Sequence, residues 1–230
     1  MKRIVVPIPV YGRLPLVKQT ITRLYSRNNV YKVICVGHEP EAARLCQDLG
    51  AEWVEHPNYP LAAKWNAGFK ACEKHDPDGV LFTGSSDWIS DDYLTRASSY
   101  LSNYHLIGTL GCHFADVNDR IRVVYWEGYK DPIRKGEPIG IGRILSKSLL
   151  KHMKWKPFDD RLNSSLDWSM WSVARNFRIK ILDPSYLTMS ISHKDWPNKH
   201  KFENHWLGGI LESRIVTKGI LDKFPEIYLL

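Results

Sequence analysis

Along the first hundred residues, short apolar runs alternate with stretches whose apolar positions return every three or four residues. Ile4 to Val10 has strand character, and Leu14, Val17, Ile21 and Leu24 then recur at helical spacing. Tyr31 to Val36 predicts a second strand, and Glu41 to Leu49 a second helix stopped by Gly50. Ala51 to Glu55 predicts a third strand, Leu61 to Lys74 a helix, Gly79 to Thr83 a fourth strand and Asp91 to Leu101 a further helix. Strands alternating with helices imply βαβ crossovers and a parallel sheet covered on both faces.

Beyond residue 104 the pattern is less regular. His105 to Cys112 and Ile121 to Trp126 read as strands around a polar loop, Asp116 to Arg120. Lys130 to Gly142, rich in Pro, Gly and charge, predicts a mobile loop. Ser146 to Met153 and Ser164 to Asn176 read as helices, Ile179 to Leu182 as a strand, and Ile210 to Leu221 as an amphipathic helix. No internal repeat and no linker separates independent domains. The expected architecture is one α/β unit, residues 1–230, with a first half (1–104) and a second half (105–230) of different roles.

Composition narrows the class only modestly. The 230 residues are 43% apolar and 25% charged, ordinary for a globular protein, and no apolar run reaches membrane-spanning length. The four cysteines are scattered without a CxxC pair, which predicts a reducing, cytoplasmic setting rather than a zinc site or a disulfide framework. The opening Met1-Lys2-Arg3-Ile4 reads as a first strand, not a signal peptide. A net charge of +7 and a pI near 9.2 point to an anionic partner: nucleotide phosphates, nucleic acid or an acidic membrane face.

Chemistry concentrates where strands end. The run Val80 to Ile89 stops at Gly84 and delivers Ser85, Ser86 and the carboxylate Asp87 just past a strand, where open α/β sheets bind ligands. A carboxylate there can hold a divalent cation against a phosphorylated ligand. The plain alternative is a turn residue ahead of a helix capped by Ser90. After the first strand, Pro9-Val10-Tyr11-Gly12-Arg13 is neither a GxGxxG loop nor a P-loop. Tyr11 can stack on a base and Arg13 can meet phosphate, unless this is a simple turn with Pro15 in the next helix. Lys64 and Asn66, near the start of the third helix, can neutralise phosphate and hydrogen-bond a base or ribose. Otherwise Lys64 is solvated and Asn66 bonds local backbone.

Together these segments resemble family 2 glycosyltransferases of the GT-A fold. The Pro-x-Tyr-x-Arg-like turn resembles that family's opening. Lys64-Trp65-Asn66-Ala67-Gly68 looks like its Ala-Arg-Asn-x-Gly helix, and Phe82 to Ile89 falls where it carries an Asp-x-Asp metal motif. The resemblance implies a Rossmann-like α/β fold with a mostly parallel central sheet. It implies a donor-binding first half (Pro7, Tyr11, Arg13, Glu39, Lys64, Asn66, Ser85 and Ser86) and an acceptor-binding, catalytic second half. Asp87 would hold Mn²⁺ or Mg²⁺ on the diphosphate of a nucleotide-sugar donor. Two departures stand out: Ser85 replaces the motif's first Asp, and Gly37-His38-Glu39 replaces a more acidic pattern.

In the second half, Gly140 to Ser146 resembles the glycine-containing segment bordering the acceptor site, with Gly142 and Arg143. Ser164 to Trp171 resembles the helix bearing the catalytic carboxylate, which assigns Asp167 as base for an acceptor hydroxyl, with inversion at the anomeric carbon. Trp168 and Trp171 offer flat faces for sugar rings. Ser164-x-x-Asp167 is also a capping box, the competing reading. His193 is the candidate second metal ligand, ahead of His200 and His205, though a lone loop His is more often a surface residue. Lys194 to Lys201 can form a lid, with Lys199 or Lys201 near the diphosphate. The rival readings are a sugar-phosphate nucleotidyltransferase and a nucleic-acid binder, including a glycosyltransferase acting on modified nucleic acid.

Overall fold

Alternating side-chain direction along the first strand shows how the layers arise. In the computed structural model, which describes residues 2–117, 121–183, 187–192 and 218–230, Ile4, Val6 and Ile8 of β1 (Ile4–Pro9) enter one core while Val5 enters another. Successive side chains on a strand point to opposite faces, so a strand apolar at every position must be covered twice. Helices α1 (Leu14–Tyr25), α2 (Pro40–Asp48) and α4 (Asp91–Ser99) supply the first cover, through residues such as Val17, Ile21, Ala42, Tyr93 and Leu94. Helices α3 (Leu61–Cys72), α5 (Lys147–His152) and α6 (Leu166–Ala174) supply the second, through Trp65, Phe69, Leu149, Met170 and Trp171.

The central sheet has seven strands in the order β10-β6-β9-β4-β1-β2-β3. Here β2 is Val30–Gly37, β3 Glu52–Glu55, β4 Gly79–Phe82, β6 Leu106–Gly108, β9 Arg143–Ser146 and β10 Ile179–Ile181. The pairs β1–β2, β1–β4, β2–β3 and β6–β10 are parallel, and β9 runs antiparallel to both β4 and β6. Both halves of the chain therefore contribute strands to one sheet.

A second sheet, in the order β5-β11-β7-β8, is absent from the sequence reading. Its strands are β5 (Asp87–Ile89), β7 (Cys112–Asp116), β8 (Arg122–Trp126) and β11 (Thr188–Ser192). Asp87 is thus not a turn residue: it opens a strand and pairs with Ser190 of β11. This sheet packs on a third core that includes Leu16, Trp88, Met189, Phe224 and Ile227, so residues 218–230 close over it.

Other boundaries also move. His105 to Cys112 is not one strand, because Thr109 Oγ1 donates to the Gly111 carbonyl at 3.0 Å and turns the chain between β6 and β7. The segment read as a mobile loop, Lys130 to Gly142, is pinned through a fully buried ion pair between Glu137 and Arg143 at 2.9 Å and the Ile139 amide donating to the Thr109 carbonyl at 2.8 Å. Most of the predicted helix Ile210 to Leu221 lies outside the described residues. Among the described residues, no helix is long and apolar enough to cross a membrane.

Candidate active site

The turn joining β4 to β5 is built to aim one carboxylate. Asp87 Oδ2 accepts the Gly84 amide at 2.9 Å, the Asp87 amide donates to the Gly84 carbonyl at 3.2 Å, and Thr83 Oγ1 donates to the Asp87 carbonyl at 3.1 Å. From below, Trp88 Nε1 donates to Thr20 Oγ1 at 2.9 Å, and that hydroxyl donates to the Ser85 carbonyl at 3.0 Å. The Ile191 amide donates to the Ser86 carbonyl at 2.8 Å. Two elements distant in sequence, α1 and β11, therefore fix the loop.

Arg13, the N-cap residue of α1, meets this loop. Gly12 and Arg13 are both left-handed (φ 58° and 52°), a conformation costly for a non-glycine residue. The guanidinium donates to Ser86 Oγ at 3.2 Å and Ser85 Oγ at 3.0 Å. Burial lowers its pKa, and the charge of Asp87 opposes that shift. A little further along the same edge, the buried Lys64 ammonium donates to the Val10 carbonyl and to Asn58 Oδ1, both at 2.5 Å. The Asn58 amide donates in turn to Glu39 Oε1 at 2.7 Å. Burial pushes Lys64 down to about 8, with Glu39 pulling it up and Arg13 pushing it further down. Burial would raise the Glu39 carboxyl, but the Asn58 amide and nearby backbone donors bring it below its ordinary value. Glu39, Lys64, Arg13, Ser85, Ser86 and Asp87 thus form one line across the carboxyl ends of the strands.

Asp167 stands on the first turn of α6. The capping-box reading does not hold: the N-cap is Ser165, left-handed at φ 58° with no side-chain cap, and the helix starts at Leu166. The carboxylate is held instead by tertiary partners. Tyr129 Oη donates to Asp167 Oδ2 at 2.6 Å, and Arg143 Nη1 lies 3.6 Å from Oδ1. Burial, then the charge of Asp167 and the hydrogen bond to it, raise the Tyr129 phenol far above its ordinary value, so it stays a donor. Arg134 lies 3.3 Å over the Tyr129 ring and pairs with Glu137 at 2.6 Å.

Asp87 and Asp167 line the same cavity, about 560 Å³ in volume. Its walls are aromatic: Trp65 packs on Phe82, and Trp126 packs on both Phe114 and Tyr129; Ser164, Ser165 and Ser190 add polar groups. Aromatic faces between a few placed polar groups suit the flat, partly apolar faces of a sugar ring.

Several sequence-predicted residues do other work. Asn66 is not at the cavity: its amide donates to the Phe158 carbonyl at 2.8 Å and to Asp160 Oδ1 at 2.7 Å, pinning the segment before α6. Pro7 is buried in β1, where it packs on Gly68. Tyr11 is 46% exposed. Trp171 is a core residue and Trp168 packs partly against that core, because the face of α6 carrying Met170, Trp171 and Ala174 turns inward. Neither lines the cavity. Gly142, left-handed at φ 81°, accepts from Tyr93 Oη at 2.8 Å, and a Cβ there would meet Thr188 Cγ2 at 2.9 Å. Arg143 is fully buried and acts behind Asp167 rather than on a ligand. His193, His200, His205 and Lys194 to Lys201 lie outside the described residues. Among the described residues no group of three or more His, Cys, Asp or Glu is gathered around a metal position.

The sequence reading missed Tyr129, Trp126 and Phe114, while Gly140, in the segment read as bordering the acceptor site, does line the cavity. The aromatic pair Trp126 and Tyr129 at the end of a predicted strand was the one local signal, and nothing local tied it to Asp167.

In sequence, no protein-family model and no curated protein matches the chain. In structure, it is similar to a mannosyltransferase from Pyrobaculum calidifontis solved in complex with GDP-Man and Mn²⁺. The TM-score is 0.60 at 13% identity, over 99% of this chain and 70% of that one. It is also similar to a CMP:2-keto-3-deoxy-manno-octonic acid synthetase complexed with CTP, with a TM-score of 0.51 at 11% identity, over 99% of this chain and 98% of that one. At such identities the likeness concerns the backbone alone. What it establishes is the fold expected from the sequence: a Rossmann-like α/β fold of the GT-A kind, shared with enzymes that act on nucleotides and nucleotide sugars.

Proposed function

We propose that the chain is a glycosyltransferase that moves a sugar from a nucleotide-diphosphate donor to an acceptor hydroxyl with inversion. The observation that carries this reading is that Asp87 and Asp167 both line one aromatic-walled cavity. The nucleotide would lie along the line from Glu39 to Asp87, its diphosphate near Lys64, Arg13 and the Ser85–Ser86 hydroxyls, its sugar in the cavity. Asp87 supplies one carboxylate, and a small divalent cation needs only one or two beside substrate phosphates, so this residue fits Mn²⁺ or Mg²⁺. Such an ion, when bound, neutralises charge on the leaving diphosphate.

The remaining chemistry falls to the chain's own residues. The acceptor hydroxyl attacks the anomeric carbon from the side opposite the diphosphate, and Asp167 takes its proton as the new bond forms. Tyr129 and Arg143 hold the two carboxylate oxygens, fixing where that proton is received. Trp65, Phe82, Phe114 and Trp126 shape the acceptor space and exclude water. The chain's own location is proposed to be cytoplasmic.

A second reading is favoured by the likeness to the CMP-sugar synthetase: a nucleotidyltransferase joining a nucleoside triphosphate to a sugar. The two differ in what is released. Incubation with a panel of nucleotide sugars and simple glycoside acceptors, followed by mass spectrometry, should give acceptor-dependent free nucleoside diphosphate and a glycosylated product, both lost in Asp167→Asn. Pyrophosphate released from a nucleoside triphosphate plus a free sugar would instead establish the second reading.

A further inference from the structure

Ser85 stands where the resembled motif has the first of its two carboxylates, and the structure adds what this hydroxyl and its neighbour hold. Ser85 and Ser86 present hydroxyls, and a single guanidinium, Arg13, forks onto both at 3.0 and 3.2 Å. Both hydroxyls accept from the guanidinium and set its orientation. The turn that delivers it is strained, with Gly12 and Arg13 both left-handed, and strain of this kind persists where surrounding structure over-determines it. The guanidinium is half-buried, beside Asp87 and near a buried cation, Lys64. Two cations kept close enough to disfavour each other, at the carboxyl ends of parallel strands, are arranged for an anion of more than one charge.

We propose that Arg13, seated on Ser85 and Ser86, is the resident counter-charge for the donor diphosphate, so that nucleotide binding does not require a divalent metal. This rests on the donor-site reading above and deepens it. The planar fork that now spans two hydroxyl oxygens has the spacing to span two phosphate oxygens, and Lys64 adds a second charge from the same edge. Asp87 then serves chiefly to hold Arg13 and the turn, and a metal ion, where present, shares a charge already in part met.

The test is calorimetric titration of the full chain with UDP, GDP, CDP and dTDP, each in EDTA, Mg²⁺ and Mn²⁺. At least one nucleotide should bind in EDTA with a Kd within about threefold of its value in Mn²⁺. Arg13→Gln should weaken that metal-free binding by about tenfold or more, the loss of a charge-assisted hydrogen bond pair. Arg13→Lys, which keeps the charge without the fork, should fall between the two and covers the case in which the Gln variant does not fold. Binding that appears only with Mn²⁺, vanishes in Asp87→Asn and ignores Arg13→Gln would overturn the proposal while leaving the donor site standing. No binding of any nucleotide under any condition would reject both the proposal and the donor-site reading.

Discussion

The hydroxyl of Tyr129 donates to Asp167 Oδ2 at 2.6 Å, joining the end of the second sheet to the first turn of a helix 38 residues away. The opposite oxygen faces Arg143, itself fully buried against Glu137. A carboxylate held from both sides has one orientation to offer a substrate. Tyr129→Phe removes one of those holds and keeps the ring that lines the cavity. Turnover should fall about tenfold, the scale of a hydrogen bond to a charged group. Nucleotide Kd should stay at its wild-type value, and Tm should fall by only several degrees. Unchanged turnover would show that Tyr129 does not position Asp167.

Replacing the carboxylate itself separates chemistry from binding. Asp167→Asn keeps the shape but cannot take a proton. Transfer should drop by roughly 10²- to 10⁴-fold, the usual contribution of a general base. Nucleotide binding, measured separately, should survive, because the donor line from Glu39 to Asp87 is untouched. Wild-type transfer rates in this variant would remove Asp167 from the mechanism.

Gly140 tests the same geometry from the backbone. A Cβ built there would sit 2.7 Å from Asp167 Oδ1 and 3.2 Å from Phe82 Cε1. The carboxylate is the mobile end of a side chain, so it can shift at modest cost in stability, but a small displacement of a base is costly in rate. Gly140→Ala should therefore lose turnover with little change in Tm, read by activity and thermal melt on one sample.

The buried pair behind the site should govern stability more than rate. Both Glu137 and Arg143 side chains are fully buried, and Glu137 also binds Arg134 at 2.6 Å. Glu137→Ala leaves Arg143 without its carboxylate, a loss of roughly 3–5 kcal/mol. At about 2–4 °C per kcal/mol for a chain of this size, Tm should fall on the order of 10 °C. A melt within a degree or two of wild type would contradict the pinned reading of the 130–142 segment.

Lys64 carries a pH signature. Its folded pKa, about 8, lies below the ordinary 10.5 because burial disfavours the charged form. Between these values the unfolded chain binds more protons at this residue, so its contribution to stability rises with pH across about 8 to 10.5. The cost of burying the charge is fully present below pH 8. Lys64→Met should abolish that slope, seen as the wild-type minus variant difference in urea unfolding free energy measured from pH 7 to 10.5. The subtraction matters because the buried thiols of Cys72 and Cys112, raised by burial, act in the opposite direction.

Much of the fold was legible because it is locally encoded. Val17, Ile21 and Leu24 lie on one side of α1 by spacing alone, and the all-apolar Ile4 to Ile8 run required cover on both faces. Asp87 was legible as a strand-end carboxylate, since an apolar run stopping at a glycine is also a local pattern. The positions of the strand-end residues were partly legible: Arg13 meets Ser85 and Lys64 meets the Val10 carbonyl beyond β1, while Asn66 turned inward to Phe158.

The rest was decided by contacts that no window of sequence contains. Strand β5 has three residues, and it is a strand because β11, some hundred residues later, pairs with it. The aromatic wall was assigned to Trp168 and Trp171 and belongs to Trp65, Phe82, Phe114 and Trp126, because helix α6 had a larger apolar face to bury and spent its tryptophans there. Hydrophobic periodicity alone thus determined an α/β protein with carboxylates at the ends of its elements. Tertiary structure alone decided which side chains meet across the cavity, because hydrophobic periodicity records how much of a residue is buried and not what it is buried against.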